Sequence, residues 1–84
     1  MIIEWVDHAW DDMIYWAEND KKVLARIMKL LEDIRKDPFS GLGKPKALRN
    51  NLSGYWSRRI NSEHRLVYRI HDGKLQVIMA RYHY

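Results

Sequence analysis

The sequence predicts an α+β fold: two N-terminal helices packed on one face of a twisted antiparallel β-sheet. Apolar residues recur at helical spacing as far as Pro38, and from Tyr55 onward the period becomes two. The segment His71-Asp72-Gly73-Lys74 adds a strong signal for a two-residue hairpin turn. With 84 residues, 46% of them hydrophobic, the chain reads as one domain, residues 1–84, around one small core.

Ile2–Trp5 suits a short strand. Asp7 is placed to cap a first helix, with Asp11 and Asp12 near its positive end. Trp10, Met13, Ile14 and Ala17 make one apolar stripe along it, and Asn19-Asp20 breaks and re-caps the chain. In the second helix Val23, Ile27, Leu30, Leu31 and Ile34 fall at i, i+4, i+7, i+8 and i+11. Pro38 ends it, because the residue before a proline avoids the helical region. The glycine-containing run from Phe39 to Pro45 reads as a connecting loop, without a P-loop pattern.

In the sheet, an Asp72-Gly73 turn sets Ile70 opposite Leu75, Tyr68 opposite Val77 and Leu66 opposite Met79. A three-residue turn at 62–64 sets Ile60 opposite Leu66 and Arg59 opposite Val67. The apolar face then lies on the helices, and Trp56 joins it by parity with Ile60. The other face carries Arg59, Arg65, Val67, Arg69, Gln76, Ile78, Ala80 and Tyr82, with Tyr55 and Ser57 further along.

Net charge is +4 but strongly segregated. Residues 1–20 hold six acids (Glu4, Asp7, Asp11, Asp12, Glu18, Asp20) and no Lys or Arg. Residues 44–69 hold seven bases (Lys44, Lys46, Arg49, Arg58, Arg59, Arg65, Arg69) against Glu63. Such a basic, aromatic-interleaved surface attracts a polyanion, and nucleic acid is the expected partner. There is no Cys, which excludes disulfides and thiolate chemistry. His8, His64 and His71 lack metal-ligand spacing, and neither a metal nor a cofactor is expected. No secretory signal or membrane span is apparent, so a cytoplasmic protein is expected.

Cleaving RNA without a metal requires a base for the 2′-hydroxyl, fixed cations for the phosphate, and an acid for the departing 5′-oxygen. Arginine suits the second task, since its planar fork donates two parallel hydrogen bonds and stays charged. Histidine suits the third. Arg65 is the leading phosphate clamp, Arg59 its second, and His83 the candidate acid. Tyr84 can donate a hydrogen bond or stack on a base, and Tyr55 can stack too.

Together these residues resemble the YoeB family of bacterial toxins, within the larger RelE group. The resemblance runs through Trp5, Ala9-Trp10-Asp11-Asp12, Tyr15-Trp16, Asp37-Pro38-Phe39, 41–45, 51–59, 63–68 and Arg81-Tyr82-His83-Tyr84. It implies a RelE-like fold, the same architecture as microbial ribonucleases, and a toxin that enters the A site of the 70S ribosome and cuts mRNA. It implies a YefM-like antitoxin, operator DNA bound through the antitoxin complex, and it allows a homodimer. By matching position, Arg65 stabilises the phosphate, His83 is the general acid and Tyr84 orients the terminal groups. Arg59 and Arg49 line the RNA path, beside Lys44.

Lys46 departs from the pattern. The family reads Lys-Pro-Glu where this chain reads Lys44-Pro45-Lys46, and the family's glutamate is assigned as the base. Three consequences are open. Lys46 serves as base or as an extra phosphate clamp; Glu63, the one carboxylate of the basic segment, substitutes; or cleavage is impaired. The alternative function is a catalytically inactive member that binds its antitoxin and co-regulates transcription.

Overall fold

The computed structural model describes residues 1–83. β1 (Ile3–Trp5) leads into α1 (Asp7–Asn19) and α2 (Lys21–Lys36). β2 (Lys46–Ala47), a 3-10 turn (Asn50–Leu52), β3 (Trp56–Arg59), β4 (Arg65–His71) and β5 (Lys74–Met79) follow. The sheet order is β1-β5-β4-β3-β2. β3 to β5 pair antiparallel as expected; β2, a strand the sequence reading did not anticipate, adds antiparallel to β3, and β1 joins β5 in parallel, so the sheet is mixed. Ile27, Leu30, Leu31 and Ile34 of α2 meet Leu66, Tyr68, Leu75 and Val77 in the core. Among the described residues no helix is long and apolar enough to cross a membrane.

α2 forms as its periodicity predicts, and Asp20 caps it by accepting from the amides of Lys22 (3.1 Å) and Val23 (3.2 Å). α1 differs in two respects. Its N-cap is Val6 rather than Asp7, which is already helical and contributes only its charge. Its buried face is Ala9, Asp12, Met13 and Trp16, whereas Trp10 and Ile14 are 50% and 42% exposed. Hydrogen bonding to Ala80 sets this phase. The Asp12 carboxylate accepts the Ala80 amide at 3.0 Å, and the Trp16 indole donates to the Ala80 carbonyl at 2.8 Å. Hydropathy is blind to a buried carboxylate held in this way.

Two register expectations are corrected. β3 and β4 pair Arg58 with Leu66 and Arg59 with Arg65, a slip of two residues. Asn61 causes it by accepting from the amides of Glu63 (2.9 Å) and His64 (2.8 Å), which makes a longer turn. A slip of two preserves facing, so Arg59 and Arg65 stay together on the front. In the β4–β5 hairpin Ile70–Leu75 and Tyr68–Val77 pair as expected, but a bulge then sets Val67, not Leu66, opposite Met79. The extra residue turns Ala80 from the front face into the core. Asp72 (φ 53°) and Gly73 (φ 71°) both adopt the left-handed conformation that the tight turn requires.

The loop between α2 and β2 is held from beneath by Arg58, which is fully buried. Its guanidinium donates to the Asp33 carboxylate (2.5 Å) and to the carbonyls of Asp37 (2.7 Å), Ser40 (2.9 Å) and Leu42 (3.0 Å). Its Nε donates to the Tyr68 hydroxyl at 3.2 Å, which in turn donates to the Pro38 carbonyl. At Gly41, φ is 119° and a Cβ would stand 2.1 Å from Asp33, so glycine is required there. The Leu42 amide and then Arg58 hold Asp33 below the usual carboxylate range; the Phe39 amide and then the Ser40 hydroxyl do the same for Asp37. Burial pushes the Tyr68 phenol up.

Replacing Arg58 with Met leaves these acceptors unpaired and lowers unfolding free energy by about 3 kcal/mol, readable as a reduced urea midpoint. Because the carboxyls are depressed in the folded state, their contribution is complete above the unfolded value near 3.8 and is lost as pH falls through the lower folded values. Asp33→Asn is therefore expected to flatten the acid limb of the stability–pH curve as well as lower stability near neutrality.

Candidate nucleic-acid interface

The front of the sheet carries a cleft lined by Gly43, Lys44, Lys46, Ser57, Arg59, Arg65 and His83. β3 and β4 contribute the arginine pair: Arg59 and Arg65 are direct cross-strand neighbours. Like charges in this position repel, and an anion between them relieves the repulsion. The Arg65 guanidinium is aimed by backbone, donating to the carbonyls of Asn61 (2.8 Å) and His64 (3.0 Å).

The loop held by Arg58 delivers the lysines. The Arg59 amide donates to the Gly43 carbonyl at 2.6 Å. A Cβ on Gly43 would lie 2.9 Å from the Arg59 carbonyl, so only glycine allows the loop this close to β3. β2 then pairs Lys46 with Ser57 at the sheet edge and brings the lysine into the cleft. From the other side the C-terminal segment crosses β4, where the Arg65 amide donates to the Tyr82 carbonyl at 2.9 Å, and His83 enters.

The cleft continues at both ends. One extension shares Gly43, Lys44 and Arg59 and adds Arg26 of α2 with Ile60, Asn61 and Ser62. The other shares Lys46 and adds Arg49 with Ala47, Leu48, Asn50 and Leu52. The result is one groove with Arg26, Lys44, Arg59, Arg65, Lys46 and Arg49 along it and, among the described residues, no Asp or Glu in its lining. Among the described residues no three His, Asp or Glu side chains gather as a metal site would require.

Lys44, Lys46, Arg49, Arg59, Arg65 and His83 thus share this groove. Tyr55 sits apart, its ring beneath the Arg69 guanidinium at 5.1 Å. Glu63 is not brought to the groove. It lies 78% exposed beside His64 and lines a separate cleft with Tyr15, Trp16, Arg81 and Tyr82. Tyr84 lies outside the described residues.

Sequence reading missed two contributors. Arg58 shares the parity of Trp56 and Ile60, a signal that it points to the core, whereas its run of basic neighbours suggests solvent. Arg26 has no such signal, since its approach to the groove depends on how α2 crosses the sheet.

A model of the YoeB-like toxins of bacterial type II toxin-antitoxin systems matches residues 5–84. Toxin YoeB of Streptomyces coelicolor is 54% identical over 84 residues, covering 100% of both chains. Among solved structures, the YoeB/ParE toxin from Agrobacterium tumefaciens is similar with a TM-score of 0.98 at 42% identity, covering 100% of each chain. YoeB of Staphylococcus aureus, solved in a heterotetrameric complex with YefM, gives 0.92 at 42% identity, covering 100% of this chain and 98% of that one. The same toxin solved as a dimer gives 0.93, at the same identity and coverage. The chain belongs to the YoeB-like toxins of bacterial type II toxin–antitoxin systems.

Proposed function

We propose that this toxin is a ribosome-dependent mRNA endoribonuclease whose chemistry is slowed by Lys46. The observation that carries the reading is the basic groove in which Arg59, Arg65, Lys46 and His83 meet, with no Asp or Glu among its described lining residues. Single-stranded RNA lies along it, with Arg49 and Lys44 on flanking phosphates and one phosphate between Arg59 and Arg65. The 2′-hydroxyl, giving up its proton to solvent water in place of a protein base, attacks the adjacent phosphorus, the arginines take up the added negative charge, and His83 protonates the departing 5′-oxygen as the P–O5′ bond breaks. The products are a 2′,3′-cyclic phosphate and a free 5′-hydroxyl. Tyr84 orients the terminal groups.

Lys46 stands where the family carries its base, and in this proposal it acts as a further phosphate clamp. A lysine ammonium holds a phosphate but does not accept the hydroxyl's proton. Glu63 is an unsuitable substitute because it opens onto another cleft. The chain acts where translation occurs, in the cytoplasm, and a YefM-type antitoxin restrains it and brings operator DNA to the complex. Self-association as a homodimer is part of the same proposal. The lysine in place of a carboxylate at position 46 also favours a second reading: a member without cleavage activity that binds its antitoxin and regulates transcription.

Purified ribosomes programmed with mRNA separate the two. Lys46→Glu is expected to raise cleavage ~10²-fold or more over the unaltered chain, the usual share of a general base. Equal rates would show that no base is missing, and no cleavage by either chain would leave the regulatory reading. Arg65→Gln in the Lys46→Glu background is expected to cost ~10²–10³-fold by removing transition-state charge stabilisation. Arg49→Gln is expected to reduce the salt slope of single-stranded RNA binding by about 0.7 for the one phosphate released, while leaving the cleavage position unchanged.

A further inference from the structure

His64 plays no part in the groove, yet its ring is buried at the point where the C-terminal segment is tied down. Trp16 of α1 packs edge-on against it at 4.8 Å. Nδ1 accepts the backbone amide of Tyr82 at 2.8 Å, and Nε2 stands 3.6 Å from the Glu63 carboxylate. An amide can only donate, so Nδ1 must hold a free lone pair and the ring proton must sit on Nε2, towards Glu63.

The contact lies one residue before His83. Tyr82 is gripped on both sides, its amide by the His64 ring and its carbonyl by the Arg65 amide. It also has φ 68°, a left-handed conformation that a bulky residue adopts only when its surroundings enforce it. Upstream, Ala80 is fixed by Asp12 and Trp16, and Arg81 lies over the Tyr15 ring at 3.4 Å. Those anchors bring the chain to the sheet. The His64 contact directs its last described residue into the cleft.

We propose that His64, as its Nε2–H tautomer, is a positioning residue that holds the Tyr82 amide and thereby sets His83 beside Arg65. The catalytic consequence rests on the proposed ribonuclease function; the positioning itself does not.

NMR on the full chain tests both. In the unaltered protein, Nδ1 of His64 should resonate as an unprotonated, pyridine-type nitrogen with a scalar coupling to the Tyr82 amide nitrogen. His64→Leu removes the acceptor, whereas His64→Asn offers Oδ1 where Nδ1 stood. Exchange of the Tyr82 amide should accelerate about tenfold in the Leu variant and stay within about threefold in the Asn variant, with the His83 ring resonances moving only in the former. On ribosomes, assayed in the faster Lys46→Glu background, the Leu variant should lose about tenfold or more in kcat with KM retained, and Asn should restore it. A missing coupling, unchanged Tyr82 exchange in a folded Leu variant, or an Asn variant that behaves like Leu overturns the proposal. Should the Leu variant not fold, the coupling and the Asn variant still decide. The expected NMR pattern without cleavage by any chain would uphold the positioning and reject the ribonuclease reading.

Discussion

Arg58 is the interaction on which the rest of the site depends. A buried guanidinium is expensive to desolvate, and this one is tolerated because Asp33, Tyr68 and the carbonyls of Asp37, Ser40 and Leu42 satisfy its donors. The benefit runs the other way too. The loop after α2 has no regular secondary structure until β2, so its carbonyls need partners from elsewhere. One planar donor fork supplies three of them. A lysine, with a compact ammonium in place of the fork, does not match that geometry. The fixed loop then carries Gly43 to β3 and Lys44 and Lys46 to the cleft, so a residue on the back of the sheet determines what faces the front.

The charge segregation in the sequence has a structural origin. Several acids of the N-terminal half are consumed by the fold: Glu4 by Gln76 and Lys74, Asp12 by the Ala80 amide, and Asp20 by the start of α2. Asp33 is taken by Arg58. No ion pair engages Arg26, Lys44, Lys46, Arg49, Arg59 or Arg65 among the described residues. Among the described residues the sheet face thus keeps its cations free of ion pairs, and the potential along the groove follows from that internal pairing.

How legible all this is from sequence depends on which force sets each element. Where burial of apolar surface decides, as in α2 and the Asp72-Gly73 hairpin, period and turn chemistry suffice. The facing of Arg59 and Arg65 is also readable, because parity survives the two-residue slip that Asn61 introduces. Where a polar group decides, the sequence misleads. α1 is rotated by Asp12 and Trp16 reaching Ala80, and a single bulge in β5 turns Ala80 inward to meet them. Lys46 and Arg49 come from the segment after α2 and His83 from the far end of the chain, so their meeting follows from topology rather than from spacing. Glu63 illustrates the limit: adjacent to the basic strand in sequence, it lines a cleft with Tyr15, Trp16, Arg81 and Tyr82 instead of the basic groove.

The lysine at position 46 shows why charge complementarity and catalysis are separate properties of one groove. A cation beside the scissile phosphate attracts RNA before, during and after the reaction. It gains only modestly as charge develops, so most of its effect is uniform binding, which tightens the complex without lowering the chemical barrier. A carboxylate at the same place repels the ground-state phosphate and is useful only as the hydroxyl proton moves, which concentrates its effect in the transition state. If the groove cleaves RNA as proposed, then beside Arg59, Arg65 and Lys44 another cation is the less effective addition: phosphate binding is well provided for, and proton removal is not. On the proposed reading this chain has traded the transition-state interaction for ground-state affinity. Such a trade weakens cutting while leaving intact the basic surface available to an acidic partner.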